Sequence, residues 1–436
     1  MVNTMQKKSS FKSRLGHILF WSVISAAFIG PGTVTTAASA GAGYGLSLGW
    51  ALIFSALGCF ILQEATARLT IASGLSLSQT FMFGRFGVVG AVVFGCMAYE
   101  AGNLLGAYSG IALVWDAPQW LIVLLLGGSA AILLWGQRAA SLARTLGFLV
   151  MVLGLAFLVL AFQSPIPFSE NTSQLLHPSF PFGAELLLVS LVGTTIVPYN
   201  IFLGSGLSEG RRNIPDMRLG LAVSIGLGGV FSLAIMVVGA HLDGPLTFPA
   251  LATELETSWG LAGRYLLGLG LLVAGFTSTL TAPMAAGLAV KSALPQRNLS
   301  RGKRYYRNTW LLVLLVGMVV GSLEVKIVPA IILAQAFNGF VLPLVVAFLS
   351  WAVNQPKLMG EHLTRPLGNA GLTLVLGVSF WLGLHNLISA LDKALETKMS
   401  TAPNTGWMVL SMAILLSLGT TFYNMENRRK EKRVKM

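Results

Sequence analysis

The chain has 436 residues and a formal net charge of +13 at pH 7, with 54% hydrophobic and only 10% charged residues. Soluble domains carry about 25% charged residues, and the mean hydropathy here is +0.74, so the composition excludes a soluble globular protein. Apolar runs of about 20 residues, long enough for a helix to cross a bilayer, recur along the chain. We therefore predict an all-α polytopic membrane protein.

We predict about twelve transmembrane helices, because that many apolar runs are separated by polar segments. No connection between them is long enough to fold as a domain of its own. In chain order, the predicted spans are 17–41, 46–71, 87–114, 119–136, 145–163, 184–207, 219–241, 260–289, 309–324, 328–351, 369–391 and 405–423.

The first span contains a strong helix breaker at its centre, in the stretch "AFIGPGTV" that includes Gly30, Pro31, Gly32 and Thr33. Proline removes a backbone donor and clashes with the preceding turn, and glycine weakens a helix. Backbone groups freed inside a membrane are tolerated only where protein or a water-filled cavity satisfies them. The stretch therefore predicts an unwound segment over Gly30–Thr33 whose free backbone groups bind a substrate.

The sixth span, "TTIVPYNIFLGSG", carries a matching break with Val197, Pro198, Tyr199 and Asn200. Aligned on the prolines, both breaks have a β-branched residue two positions before and a polar residue two positions after. The two spans enter the membrane from opposite sides, which is typical of inverted repeats with one discontinuous helix each. We predict that the sixth helix is unwound over Val197–Asn200. A simple proline kink in each helix is the alternative.

The basic residues are distributed unequally between the two sides of the predicted bundle. If the N-terminus is cytoplasmic, the opposite side keeps only Arg264, Lys326, Lys393 and Lys398, and the inner side holds the rest. This pattern follows the positive-inside rule. It argues against a nucleic-acid partner and predicts a multi-pass protein of the plasma (inner) membrane with both termini in the cytoplasm. The basic tail is expected to contact anionic lipid headgroups.

Three stretches of the sequence are informative: "GPGTVTTAASAGAGYGLSLGWALIFSALGCFILQEATARLTIASGLSL" from Gly30, "VPYNIFLGSGL" and "ILAQAFNGFVLPL". Together they resemble the Nramp family of divalent-metal transporters. The resemblance implies a LeuT-type fold, alternating access and proton-coupled uptake of manganese or iron. The implied division of the chain is 1–16 basic N-terminus, 17–163 first five-helix repeat, 184–351 second inverted repeat, 369–423 two additional helices and 424–436 basic tail.

The metal-binding motif of the family is not present. Nramp transporters hold metal with an Asp-Pro-Gly-Asn segment and a Met-Pro-His segment, whereas Gly30, Thr33, Val197 and Tyr199 stand at the aspartate, asparagine, methionine and histidine positions. Gln335 matches a family binding residue. Beside it stands Asn338, which is not a family residue. In the third span Glu100 matches an acidic proton-path position, and Asn103 replaces a second acid.

These substitutions predict that the transition-metal site is lost. Soft metals favour thioether or imidazole ligands, and any divalent cation needs carboxylates to offset dehydration. Without a fixed negative charge, the N-termini of the broken helices are left with partial positive charge, which suits a small anion such as bicarbonate or a carboxylate-bearing solute. The alternatives are a Mg²⁺ or Mn²⁺ transporter and a membrane sensor or scaffold without transport activity.

No nucleophile and base constellation is visible, so we do not predict an enzyme, and no cofactor is expected. Glu100 is ionisable in mid-membrane and is therefore a candidate for proton coupling, with Asn103 beside it. Sodium coupling through the backbone carbonyls of the breaks is the alternative. The expected partners are the small solute or ion, membrane lipids and no nucleic acid, and the expected state is a monomer.

Overall fold

The computed structural model describes residues 30–80, 85–136, 139–163, 175, 177–208, 213–294, 299–395 and 405–434. Within these ranges the chain is almost entirely helical. The helices are α1 Pro31–Tyr44, α2 Gly49–Ser73, α3 Leu77–Thr80, α4 Arg85–Ala112, α5 Gln119–Trp135, α6 Ala139–Gln163, α7 Glu185–Thr195, α8 Pro198–Ser208, α9 Ile214–Gly239, α10 Phe248–Trp259, α11 Leu261–Ala293, α12 Leu299–Gly321, α13 Ile327–Ala352, α14 Pro356–Met359, α15 Pro366–Leu395 and α16 Thr405–Val434.

Every predicted span has a helical counterpart among the described residues. Nine segments are long and apolar enough to cross a membrane, and one of them covers α7 and the start of α8. The remaining three predictions correspond to α1, α5 and α12. α1 has only 14 residues, α5 has 17, and α12 begins with a polar half, "LSRGKRYYRN". The count of about twelve spans stays a prediction, since the first half of the first span lies outside the described residues.

Helix α4 lies at the centre of the bundle, packed against α11, α12 and α13 and touching α1, α5 and α8. Small residues permit this close packing. A Cβ atom on Gly110 of α4 would meet the backbone of α11 at Gly268. Backbones that approach each other this closely are typical of membrane helices with small residues at their interface.

Helix α1 crosses α9 with a similarly close contact. A Cβ atom on Gly41 would collide with the backbone at Met236, and one on Gly239 would collide with Ala38. α1 also touches α7 and α13. The N-terminal residues of α1 are buried in the interior of the bundle, where Thr33 lies next to Thr194 at the end of α7.

The amphipathic helix α10 was not predicted. It lies between α9 and α11 and buries Phe248, Leu251, Ala252 and Leu255. Its start follows ordinary capping chemistry, because the Thr247 side chain accepts a hydrogen bond from the Ala250 amide at 3.2 Å and Pro249 lies in the first turn. With 12 residues, it is too short to have been recognised as a span.

Candidate substrate site at the helix breaks

Helix α1 begins inside the segment that was predicted to be unwound at the first break. Gly30 is extended, with φ −101° and ψ 176°, and α1 begins at Pro31. The Gly30 carbonyl accepts from the amides of Thr33 and Val34 at 3.0 and 3.2 Å. The prediction of an unwound segment over Gly30–Thr33 is therefore wrong for residues 31–33, because the fixed φ of proline suits the first position of a helix. Residues before Gly30 lie outside the described ranges.

The second break is shifted toward the N-terminus relative to the prediction. α7 ends at Thr195, Ile196 has φ −96° and ψ 76°, and α8 begins at Pro198. The non-helical residues are thus Ile196 and Val197, and the predicted unwinding of Pro198 to Asn200 is wrong for the same reason. The interruption itself is confirmed. It leaves the carbonyl end of α7 and the amide end of α8 facing the same interior region.

Gln335 of α13 lies against both breaks. A Cβ atom on Gly32 would collide with the Gln335 side-chain amide, and a Cβ atom on Gly193 would collide with the Gln335 backbone carbonyl. Glycine at both positions lets α13 approach the N-terminus of α1 and the C-terminal turn of α7. The sequence prediction that Gly32 and Gln335 belong to one site is therefore consistent with their packing.

Two tyrosines and one serine border the first break. The rings of Tyr99 and Tyr199 meet edge to face, with centroids 5.2 Å apart. A Cβ atom on Gly30 would lie 3.2 Å from the Ser278 hydroxyl and 3.7 Å from the Tyr99 hydroxyl. The volume next to Gly30 is thus lined by neutral hydroxyl groups from α4 and α11.

The hydroxyl of Thr33 lies 3.3 Å from that of Thr194, in the last turn of α7, so a hydrogen bond joins the two broken regions. Asn200 of α8 is fully buried, and its amide nitrogen and oxygen both lack hydrogen-bond partners among the described residues. The same holds for both polar atoms of the Gln335 side chain. Buried polar groups are nearly always hydrogen-bonded, so these two amides mark a place where a bound molecule would complete the structure.

Asn338 has a different environment from Gln335. Its amide nitrogen donates to the Gly193 carbonyl at 3.2 Å, and its side-chain oxygen lies close to Gly95 of α4. The bond satisfies one of the free carbonyls at the C-terminal end of α7. Asn338 therefore holds the end of the broken helix.

Glu100 and Asn103 are both fully buried on α4. The Asn103 amide donates to Glu100 Oε2 at 3.4 Å, whereas Oε1 has no partner among the described residues. A Cβ atom on Gly317 of α12 would collide with Glu100, so this side chain packs toward α12. Glu100 directly follows Tyr99 in α4.

Sequence reasoning missed Tyr99, Thr194 and Ser278. Thr194 could have been found, because it stands in the turn before the second break and a free hydroxyl near a helix end is a natural ligand. Tyr99 and Ser278 carry no local signal, since they reach the site only through the packing of α4 and α11 against α1. No group of three or more His, Cys, Asp or Glu side chains suited to a metal ion occurs among the described residues.

The sequence model of the family described as natural resistance-associated macrophage protein-like (Nramp) matches residues 22–389. The chain belongs to the Nramp family. The resemblance seen in the sequence is thereby confirmed, over most of the chain.

Among the similar Nramp proteins is a divalent metal cation transporter MntH of Verminephrobacter eiseniae. It is 27% identical over 377 residues, covering 79% of this chain and 82% of that protein. A protein of the same name from Klebsiella pneumoniae subsp. pneumoniae is 25% identical over 394 residues, covering 84% and 93%. Both names describe transporters, in agreement with the prediction that this chain is not an enzyme.

Solved structures share the fold. The manganese transporter of Eremococcus coleocola, in complex with an aromatic bis-isothiourea compound, superimposes with a TM-score of 0.71 at 17% identity over 99% of this chain and 98% of that one. MHP1, a nucleobase-cation-symport-1 family transporter, gives a TM-score of 0.56 at 14% identity, with coverage of 94% and 92%. This Nramp chain therefore has the predicted LeuT-type fold. The exact repeat boundaries remain a prediction.

Proposed function

We propose that this Nramp protein is a secondary-active transporter that alternates access to the site between the two breaks. We further propose that its substrate is a small solute that accepts hydrogen bonds, such as bicarbonate or another small carboxylate. The relatives with transporter names and the shared fold support the first statement. The donor groups of the site support the second.

The observation that carries the substrate proposal is the pair of buried amides without partners, Asn200 and Gln335. Each presents an NH₂ group with two donors, which an anion can accept from, and a carbonyl oxygen, which the O–H of a bicarbonate or a cation can satisfy. An oxyanion accepts several such hydrogen bonds at once, and bonds to a charged acceptor are stronger than neutral ones. The amide end of α8 adds partial positive charge near the same region.

The residue types at the breaks argue against a transition metal as the substrate. The positions that carry the ligands in the family hold Gly30, Thr33, Val197 and Tyr199 here, and the space next to Gly30 faces the hydroxyls of Ser278 and Tyr99. An uncompensated divalent ion in a buried site costs at least several kcal/mol. The buried carboxylate of Glu100 packs toward α12.

A divalent metal cation is the second candidate, favoured by the names of the Verminephrobacter and Klebsiella relatives. The available oxygen donors would suit a hard, partly hydrated ion such as Mg²⁺ better than Mn²⁺, because Mg²⁺ keeps several of its waters when bound. Under this alternative, the oxygens of Thr33, Asn200 and Gln335 would contact the water shell of the ion. Glu100, farther from the ion, would supply negative charge.

Uptake into liposomes separates the two candidates. Purified protein is reconstituted and supplied in parallel with labelled bicarbonate, small carboxylates, Mg²⁺ and Mn²⁺. We expect saturable uptake of an anion, reduced at least about tenfold when Asn200→Leu removes one donor group, a loss of about 1.4 kcal/mol in binding. Saturable uptake of Mg²⁺ or Mn²⁺ without anion uptake would contradict the anion proposal.

A matched control keeps the experiment interpretable. Asn386→Leu removes another buried amide with a nitrogen that lacks a described partner, but on α15, outside the site. It is expected to leave uptake unchanged. Folded protein that moves none of the solutes would contradict the transporter proposal itself and favour a membrane sensor or scaffold.

A further inference from the structure

A basic cavity lies at the end of the bundle that the charge distribution predicts to be cytoplasmic, away from the two breaks. It has a volume of about 840 Å³ and is formed where the C-terminal ends of α5 and α11 meet the first turns of α12. Its polar lining consists of Lys291, Ser300, Lys303, Arg304, Tyr306 and Arg307. Its other wall is apolar and includes Leu134, Met284 and Leu288.

The four basic side chains of this cavity carry uncompensated charge. Within the part of the chain that the structure describes, none of them forms an ion pair. The ion pairs found there join Glu64 to Arg68 and Arg218, and Glu256 to Arg264. None of the described residues that line the cavity is acidic. Four cations beside an apolar wall favour a ligand with an anionic head and a hydrophobic body.

Aromatic residues fix one side of the cavity. The guanidinium carbon of Arg307 lies 5.0 Å from the centroid of the Trp135 ring, a cation–π geometry that holds the charge at the surface of the bundle. Trp135 in turn meets the buried Trp310 edge to face, with centroids 6.3 Å apart. Trp135 is 62% exposed, and tryptophans in such positions mark the headgroup level of a bilayer.

We propose that this basic cavity binds the headgroup of an anionic phospholipid from the cytoplasmic leaflet. The lysine and arginine side chains would hold the phosphate, and Leu134, Met284 and Leu288 would contact the glycerol and upper acyl carbons. Basic pockets between membrane helices recognise lipid headgroups through this combination. A free phosphate would use the charges but leave the apolar wall uncovered, so the cavity fits a lipid better than a soluble anion.

The site would tie the ends of α5, α11 and α12 together. α12 also carries Gly317, which packs on Glu100. A lipid bound at its first turns therefore holds the helix against which the buried acid of α4 rests. The inference does not depend on the identity of the transported solute.

Native mass spectrometry of the full-length protein in detergent tests the proposal. The protein is titrated with short-chain phosphatidylglycerol and with phosphatidylcholine of the same acyl chains. We expect saturable binding of phosphatidylglycerol and much weaker binding of phosphatidylcholine. Arg307→Gln should lower the affinity for phosphatidylglycerol about fivefold, as expected for one cation near an anionic lipid, and Lys303→Gln should have a similar effect.

Arg301→Gln is the matched control, because it removes one positive charge from an exposed position of the same helix that does not line the cavity. It should leave the affinity unchanged. Equal losses in Arg301→Gln and Arg307→Gln, or equal binding of the two lipids, would overturn the proposal in favour of diffuse surface charge. Displacement of the lipid by inorganic phosphate at similar concentrations would overturn the assignment to a lipid.

Discussion

At the scale of single residues, Gly32 and Gln335 form the contact on which the candidate site depends. The absence of a side chain at position 32 lets the Gln335 amide rest against the first turn of α1. The glycine could be identified in the sequence because it follows Pro31 in a helix interrupted at mid-membrane. Its contact with Gln335 could not, since it depends on how α1 and α13 pack after folding.

Replacing Gly32 by alanine should therefore damage the site more than the fold. The added methyl group would push the Gln335 amide away, and overpacking of this kind costs about 1–3 kcal/mol. We expect Gly32→Ala to lose most of its uptake in liposomes while it still unfolds cooperatively. Gly43→Ala, in the same helix with nothing within 4 Å of the added carbon, should retain full uptake. Equal uptake by both variants would remove Gln335 from the site.

Glu100 is the residue for which we predict a role in coupling. It is a fully buried carboxyl group, one residue from Tyr99, and intramembrane acids of this kind are typical of proton pathways. Glu100→Gln should abolish the pH dependence of uptake and leave binding of the substrate intact. Glu361→Gln, at an exposed position, should keep the wild-type pH profile. Uptake by Glu100→Gln with an unchanged pH profile would exclude this residue and favour sodium coupling.

At the scale of elements, a network of charges around the buried Arg68 joins α2, α9 and the segment that precedes α15. Glu64 accepts from Arg68 at 3.0 Å and from Arg218 at 2.7 Å. Arg68 also donates to the His362 carbonyl at 2.5 Å and to the Thr364 hydroxyl at 3.2 Å. The pair of Glu64 and Arg68, one helical turn apart, was evident in the sequence. The contribution of Arg218 was not, because it comes from a helix distant in the chain.

This network should contribute more to the free energy of unfolding than a surface ion pair does. Glu64→Gln leaves the Arg68 charge, in a residue only 6% exposed, without its carboxylate, and we expect a loss of about 3 kcal/mol in the free energy of unfolding. Glu256→Gln breaks the more exposed pair with Arg264 and should cost below about 1 kcal/mol. Thermal unfolding in detergent compares the two variants. A smaller loss for Glu64→Gln than for Glu256→Gln would show that the burial of Arg68 does not strengthen this network.

Local chemistry explains which elements could be foreseen from the sequence. Pro31 and Pro198 could be identified in the sequence as the places where α1 and α8 begin, because the ring of a proline itself restricts the backbone. The predicted extent of unwinding was too large, since proline is also a favourable first residue of a helix. α10 was missed, although Thr247 and Pro249 signal its start, because its apolar face is short and becomes buried only against its neighbours.

At the scale of the whole molecule, the distribution of charge predicts that both termini face the cytoplasm. Lys326 and Arg365 are exposed and are predicted to lie on opposite sides of the membrane. In intact cells, a membrane-impermeant maleimide should label Lys326→Cys and not Arg365→Cys. The native Cys59 and Cys96 are only 2% and 1% exposed and should give a low background. The reverse labelling pattern would invert the predicted topology.

For the whole molecule, we propose that this member of the Nramp family binds its substrate through neutral donor groups. Calorimetric titration of purified protein with Mn²⁺ and with bicarbonate, side by side, measures which of the two binds. We expect saturable heat with bicarbonate, lost in Asn200→Leu, and none with Mn²⁺ at micromolar concentration. Micromolar Mn²⁺ binding that disappears in Thr33→Ala or Asn200→Ala would contradict this proposal.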